Sequence, residues 1–301
     1  MFRIAAIIAA SFFALSLAAR DLQGPDSPVS VVVTVKPDAS VTPARLTVDD
    51  VLVTQNKQRM QVTALEPLRS QNGLQLWILI DDGSSSSLGA QLADIKKFVA
   101  AQSASTEIGI GYMQNGAVRT AQALTSDHDR AVKALRLPMA MAGISASPYI
   151  ALESLIHHWP VTSGAREVLM VSSGIDPEYG SGPDDPYVNS AIHTAQRAGV
   201  VVYAIYYSGA GRWAHAYRQL FWGQNYLAQL SGETGGELYW LGMTNPVSIV
   251  PYLDDLSRRL NSQYLLTFMA RPENKPGLQP VKIKCEQPHV KLSGPSQVYV
   301  Q

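Results

Sequence analysis

The stretch LQLWILIDDGSSS at residues 74–86 decides the fold. Its first seven residues are mainly apolar without strict alternation, which is typical of a parallel-sheet strand covered on both faces. Residues directly after such a strand lie in the crevice where open α/β sheets bind ligands. Asp82, Ser84 and Ser86 follow at alternate positions and offer one carboxylate and two hydroxyls. Because Mg²⁺ accepts few carboxylates together with neutral oxygens and water, these positions predict a cation site.

The sequence after this stretch alternates strand patterns with longer helical patterns. Strands are predicted at 107–113, 168–172 and 200–207, and helices at 127–137, 149–159 and 187–198. Apolar residues at helical spacing predict two further helices that face a sheet. Their stripes are Leu88, Leu92, Ile95 and Val99 in the first, and Ile249, Leu253, Leu256 and Leu260 in the last. This alternation predicts an α/β fold with a doubly wound, mostly parallel sheet.

The two ends of the chain have a different pattern, with short strands rich in β-branched residues. VSVVVTV at 29–35 and the alternating runs up to residue 65 predict strands, as do YLLTFMA at 264–270 and VKIKC at 281–285. We therefore expect an N-terminal β segment at 19–72 and a C-terminal β segment at 263–301, which together form a small β unit flanking an α/β domain at 73–262.

The first residues are typical of a secretory signal peptide. Arg3 precedes an apolar stretch at 4–15, and Ser-Leu-Ala at 16–18 provides a small-residue cleavage site. The stretch is shorter than the roughly 20 residues that span a bilayer, which favours cleavage near Ala19 over a membrane anchor. An exported protein with no stable membrane span is expected, and the sequence does not separate periplasm from secretion.

Composition narrows the range of partners. The 301 residues include 24 basic and 24 acidic side chains and are 46% hydrophobic. The hydrophobic content supports a large core, and the balanced charge provides no field that would steer nucleic acid. No nucleic-acid partner is expected, and the oligomeric state stays open.

The motif Asp82-Gly83-Ser84-Ser85-Ser86 resembles the D-x-S-x-S sequence of the metal-ion-dependent adhesion site in von Willebrand factor type A (VWFA) domains. The order of strand, motif and helix is similar to that family over residues 74–262. The flanks LTVDDVLVTQNKQRMQVTAL (46–65) and NSQYLLTFMARPENKPGLQPVKIKCE (261–286) resemble those of exported bacterial VWFA-related proteins, a group abundant in Acidobacteria. The resemblance implies a Rossmann-like fold and a divalent cation.

The resemblance also implies ligands on two other loops. A hydroxyl from a second loop corresponds to Ser145, with Ser147 as the alternative. A second aspartate of the family corresponds to Ser173, so its carboxylate is absent here. Losing one anionic oxygen weakens cation binding in a partly dehydrated site. Asp81 and Asp176 are the nearest acids that could substitute.

The resulting expectation is a non-enzymatic adhesion or assembly module. A Mg²⁺ or Mn²⁺ ion held by Asp82, Ser84, Ser86 and Ser145 would bind an Asp or Glu side chain of a partner protein. A metal-free scaffold module of an envelope complex is the alternative, in which the serines merely cap the next helix.

A serine hydrolase using Ser84 or Ser86 is the third possibility. The sequence has no G-x-S-x-G motif, and its six histidines are scattered. In the segment GRWAHAYRQLFWGQNY at 211–226, four of the aromatic residues either pack inward or form a partner surface. They are Trp213, Tyr217, Phe221 and Trp222.

Overall fold

The computed structural model describes residues 26–37, 45–68, 73–140, 147–161, 164–180, 182–209, 217–242, 247–272 and 275–301. The predicted signal peptide at 1–18 lies outside these residues. Among the helices of the described ranges, none has both the length and the apolar character needed to cross a membrane.

The chain order divides the elements into three blocks. The first block has four strands, β1 (Ser27–Pro37), β2 (Val51–Gln55), β3 (Gln58–Met60) and β4 (Val62–Pro67). The middle block contains β5 (Leu74–Asp81), α1 (Gly89–Ala100), β6 (Thr106–Gln114), β7 (Ala117–Thr125), α2 (His128–Ala134), α3 (Pro148–His158), β8 (Ala165–Ser172), α4 (Pro186–Ala198), β9 (Val200–Tyr206), α5 (Tyr217–Thr234), β10 (Leu238–Trp240) and α6 (Val250–Asn261). The last block is β11 (Gln263–Ala270), β12 (Gly277–Cys285), β13 (Val290–Ser293) and β14 (Gln297–Val300).

The middle block forms a six-stranded sheet in the order β10-β9-β8-β5-β6-β7. Every neighbouring pair is parallel except β6 and β7, which pair antiparallel at one edge. Strands β5, β8 and β9 are buried along almost their whole length, which explains their continuous apolar sequences. The predicted doubly wound, mostly parallel sheet is confirmed.

Helices cover both faces of this sheet. The predicted stripe of α1 and that of α6 are buried on one face, and apolar residues of α3 and α4 are buried on the other. Trp77 of β5 lies directly over Gly109 of β6, where an added Cβ would be 2.6 Å from the indole ring. The glycine in this central strand therefore makes room for a neighbouring aromatic ring.

The first and last blocks form the predicted flanking β unit. It consists of two four-stranded sheets, in the orders β13-β1-β11-β4 and β14-β12-β2-β3. Val33, Val53, Phe268 and Val300 from both sheets are completely buried in one shared core. Each sheet combines strands from both ends of the chain, so neither end can form its sheet alone.

The structure corrects two predicted elements. The helix expected at 127–137 begins as predicted after Asp127, whose carboxylate accepts a hydrogen bond from Arg130 N, but it ends at Ala134. Leu137 precedes Pro138, and a residue before proline disfavours the helical conformation, so the segment after α2 is extended. Strand β7, which the sequence analysis did not predict, directly follows the turn at Asn115-Gly116.

Candidate functional site

The site lies where the winding of the parallel sheet changes direction. From β5 the chain crosses to β6 through α1 on one face, whereas from β8 it crosses to β9 through α4 on the other face. A crevice opens between the carboxyl ends of two such strands. Asp81 ends β5 and Ser172 ends β8, and the Ser172 hydroxyl donates a hydrogen bond of 3.0 Å to Asp81 Oδ2. Asp81 therefore lies at the junction itself.

Asp82, the predicted lead ligand, is held by an arginine. Its side chain is completely buried, and its two oxygens accept hydrogen bonds from Arg136 Nη1 at 2.7 Å and Nη2 at 3.0 Å. Met139 N adds a third hydrogen bond of 3.0 Å to Oδ1. The guanidinium also lies over the Tyr112 ring, 3.7 Å from its centroid, and its hydrogen bonds to Asp82 raise the pKa of Arg136. The charge of Asp82 is thus neutralised within the protein.

The motif serines have three different environments. Ser84 is buried, and its hydroxyl has no hydrogen-bond partner among the described residues. Ser85 caps a single-turn helix by accepting a hydrogen bond from Ser87 N at 3.2 Å. Ser86 is exposed. Ser85 thus caps the short turn before α1, whereas α1 itself begins after Leu88 without a side-chain cap.

The second loop is described only from Ser147 onward, and Ser145 lies outside the described residues. Ser147 caps α3 by accepting from Ile150 N, and its hydroxyl donates a 2.6 Å hydrogen bond to Asp176 Oδ2. Asp176 is completely buried and also accepts from Glu178 N at 2.8 Å. The structure thus joins Ser147 and Asp176, two residues that the sequence analysis considered separately.

Ser173, at the position of the missing acid, packs against helix α5. A Cβ on Gly223 of α5 would lie 2.4 Å from the Ser173 carbonyl oxygen. Gly174 has φ of +67°, and a Cβ there would lie 2.2 Å from the Gly223 carbonyl oxygen. Glycine at both positions lets the loop and the helix meet backbone to backbone. The Ser173 hydroxyl accepts a hydrogen bond from Ile175 N.

Three acids on the β8 side of the crevice have no cation partner among the described residues. Burial raises the pKa of Asp81 to about 6, and the charge of Asp82 adds to the effect. Burial also raises the pKa of Asp176 and that of Asp185, where Asp176 contributes further. All three carboxylates help to raise the pKa of the Tyr149 phenol, after its burial. This side of the crevice therefore holds three carboxyl groups whose ionisation is disfavoured by burial and is not offset by a cation among the described residues.

The described motif residues and Ser173, as they lie, do not fit a divalent cation. Both oxygens of Asp82 already have a guanidinium and a backbone amide as partners. Ser86 is exposed, and Ser173 lacks a carboxylate. Among the three motif residues, Ser84 has a buried hydroxyl that no described residue hydrogen-bonds. Across the described ranges, no three His, Cys, Asp or Glu side chains are grouped in a way that could hold a metal.

Sequence reasoning missed Arg136, whose guanidinium pairs with Asp82 and lies over the Tyr112 ring. It lies 54 positions from Asp82 and belongs to no motif. A single arginine before Leu-Pro in a connecting segment gives no pattern to recognise. The sequence offers one weak signal for its role: Arg136 is a charged residue in the connecting segment that follows α2.

The aromatic segment contributes to both packing and surface. Trp222 stacks on Tyr226 with ring centroids 6.0 Å apart and is partly buried against the core. Phe221 is half exposed. Tyr217 is the first residue of α5, and Trp213 lies outside the described residues. Trp222 therefore packs inward, whereas Phe221 is exposed and available for a partner surface.

No protein family and no curated protein matches the chain. Solved structures do match it. An aerotolerance-related membrane protein from Bacteroides fragilis is 14% identical, with 63% of this chain and 99% of that chain covered and a TM-score of 0.47. The pilus adhesin SpaC from Lactobacillus rhamnosus GG is 9% identical, with 82% and 47% covered and a TM-score of 0.47. The SpRpn10 VWA domain is 12% identical, with 61% and 93% covered and a TM-score of 0.36.

The chain thus spans about half the length of the SpaC structure. All three identities are below 25% and all three TM-scores are below 0.5, so the fold assignment rests on the strand order and helix placement described above. The relation to the acidobacterial VWFA-related group stays a prediction.

Proposed function

We propose that this chain is an exported, non-enzymatic protein-recognition module that acts without a bound metal ion. The observation that carries the proposal is the paired hydrogen bonding of Arg136 to Asp82. In this proposal the guanidinium supplies the positive charge for which the resemblance implied a cation. The module comprises the α/β domain at 73–262 and the flanking β unit, and it is periplasmic or secreted.

The recognition surface is the segment that this ion pair holds at the rim of the crevice. Arg136 and Met139 both bind Asp82, so the short segment between them is fixed at the end of the sheet. Leu137 is 41% exposed and Met139 is 45% exposed. Two apolar side chains on a rigid, solvent-facing segment are typical of a partner-binding surface, because little conformational entropy is lost when they are covered.

The contacts of the motif serines support a non-enzymatic role. A nucleophilic serine needs a general base within hydrogen-bond distance. Within the described ranges, Ser84 has no such neighbour. His128 binds the Thr106 carbonyl at the amino end of β6, and His158 binds the Ser154 carbonyl. Neither histidine contacts a motif serine.

Partner capture from an envelope extract tests the proposal. The exported chain should retain its partner in the presence of EDTA and lose it when Leu137→Gln and Met139→Gln are combined. Val161→Gln is the matched control, because Val161 is an exposed apolar side chain, 84% accessible, beyond the far end of α3. Retention by the double variant, or loss in the control, would contradict the proposed surface.

A cation-dependent version of the module is the second candidate. The Asp81 carboxyl group, which has no cation partner among the described residues, and the unpartnered Ser84 hydroxyl favour it. In this version Asp81 replaces Asp82 as the lead carboxylate, and Mg²⁺ or Mn²⁺ would bind a partner's Asp or Glu. Calorimetric titration with either ion separates the candidates. Heat that disappears in Asp81→Asn would replace the metal-free proposal.

A further inference from the structure

Strand β7 is an edge strand with unusual freedom to pair. Within the described residues its only partner strand is β6. It has nine residues, whereas the other edge strands β3, β4, β10, β13 and β14 have three to six. Its sequence, AVRTAQALT, contains no proline and one charged residue. Proteins usually protect long edges with proline, several charges, β-bulges or a covering element. The register with β6 shifts beyond Thr120, whereas residues 117–120 pair regularly, so this first part of β7 is suited to accept another strand.

A basic pocket lies beside this edge. Tyr112, Arg119, Thr120, Ala121, Arg136 and Met139 line it. Arg119 of β7 is directly opposite Tyr112 of β6, and the Arg136 guanidinium covers that same ring. Residues opposite each other in an antiparallel pair share a face of the sheet, so both arginines lie on the Tyr112 face.

The two arginines differ in whether the guanidinium already has an acidic partner. Arg136 is committed to Asp82. Arg119 is exposed and makes no ion pair or hydrogen bond within the described part of the chain. An arginine fork presents several donors in the geometry of a carboxylate, and a free one beside a second guanidinium attracts an anion.

We propose that β7 binds an extended acidic segment of a partner protein, which adds a strand to the sheet and places an Asp or Glu side chain against Arg119. This proposal rests on the proposed recognition function and specifies the chemistry of the partner. Backbone pairing along β7 supplies the affinity, Arg119 selects the acidic side chain, and the exposed Leu137–Met139 segment borders the same pocket.

Two labelled nonapeptides test the proposal, STVTETVTS and its twin with Gln in place of Glu. Fluorescence anisotropy should show at least fivefold tighter binding of the Glu peptide, since a charge-assisted pair exceeds a neutral hydrogen bond by that order. Arg119→Gln should remove this preference, and Arg119→Lys should retain part of it. Arg197→Gln, which changes an exposed arginine near the end of α4, is the control and should leave the preference intact.

Hydrogen exchange locates the added strand. The Glu peptide should slow exchange at residues 117–125 and leave 238–240, the opposite edge strand, unchanged. Methylation of the alternate backbone nitrogens that face β7 should abolish binding, because those N–H groups make the inter-strand hydrogen bonds. Equal binding of the two peptides, slowing at 238–240 instead, or a β7-mediated dimer of the chain in sedimentation would each overturn the proposal.

Failure of this proposal is distinguishable from failure of the proposed function. If Arg119→Gln still captures the envelope partner while the Leu137 and Met139 double variant does not, recognition occurs at the rim and β7 is not part of it. If neither variant alters capture, both proposals are wrong.

Discussion

On one side of the crevice, Arg136 neutralises the buried carboxylate of Asp82; on the other side, Asp81, Asp176 and Asp185 have no cation partner among the described residues. Asp81 and Asp82 are neighbours in sequence. Asp82 accepts three hydrogen bonds and is paired with a guanidinium, whereas Asp81 accepts hydrogen bonds from two neutral groups of the described residues, the Gly83 amide and the Ser172 hydroxyl. A match to the sequence motif therefore does not determine which of the two neighbouring carboxylates lacks a charged partner.

The largest expected effect comes from removing the countercharge. Arg136→Gln leaves a fully buried carboxylate without its partner and should lower the free energy of unfolding by about 3 kcal/mol. The arginine side chain is 36% exposed, which keeps the expected loss at the low end for a buried pair. Urea denaturation at pH 7.5 measures the loss.

Arg119→Gln is the matched control for this change. It alters an arginine of the same pocket that has no partner in the described residues, so it should stay within about 0.5 kcal/mol of the parent. Stabilisation of Arg136→Gln by millimolar MgCl₂, with no such effect on the parent, would show that a cation can take the guanidinium's place. If Arg136→Gln is as stable as the parent, then Arg136 does not stabilise the buried Asp82 carboxylate, and the contrast with Asp81 is wrong.

The next effect is a pH dependence that belongs to the β8 side. Because burial raises the pKa of Asp81 from its usual 3.8 to about 6, ionisation is disfavoured in the folded state, and stability falls as pH rises from about 4 to 6. A pKa change of this size corresponds to about 3 kcal/mol, which we reduce to about 1–2 kcal/mol because Asp81 is partly exposed.

Asp81→Asn should therefore be more stable than the parent by about 1–2 kcal/mol at pH 8 and equal to it near pH 4. Thermal melts across this range provide the measurement. Asp82→Asn is the informative comparison, since it removes a charge that Arg136 compensates and should be destabilising at pH 8. An equal pH slope in Asp81→Asn and the parent would remove Asp81 as the source.

A smaller effect is expected for the hydroxyl that joins the second loop to the crevice. Ser147→Ala removes both the helix cap of α3 and the donor to Asp176, and it should lower the unfolding free energy by about 1–2 kcal/mol. Ser147→Thr keeps the hydroxyl and should recover most of the loss in the same denaturation experiment. Equal losses in both variants would indicate a packing effect instead.

The smallest effects come from two adjacent serines, and they should have opposite signs. Ser84→Ala removes a buried hydroxyl without a partner in the described residues and should stabilise the protein by about 0.5–1 kcal/mol. Ser85→Ala removes a cap and should destabilise it by a similar amount. If Ser84→Ala lowers stability only when Mg²⁺ is present, the second candidate function is supported.

The sequence was sufficient for the architecture because the decisive residues act locally. The apolar run before Asp81 and the stripe of α1 each specify how one element is buried, and their order specifies the alternation of strands and helices. Gly199, which ends α4 with φ of +64°, also acts locally, since a left-handed residue at the end of a helix is usually glycine.

The site was less predictable because its contacts join distant segments. Asp82, Ser84 and Ser86 formed a visible motif, but the partner of Asp82 lies in a connecting segment, and the hydroxyl of Ser147 meets Asp176 through two different loops. Whether Asp81 or Asp82 faces the junction depends on where β5 ends, and a shift of one residue exchanges their roles. Such a shift is beyond what an apolar run can specify.

The interleaving of β1 and β4 with β11 has a consequence for how the protein is made. Tyr264 pairs with Pro67 and Ala270 pairs with Ser27, so the partners of β4 and β1 lie 197 and 243 residues later in the chain. Contacts of such separation close slowly, and unpaired apolar strands invite aggregation. We expect the α/β domain to fold first, and the C-terminal strands then pair with the N-terminal strands to complete the flanking β unit.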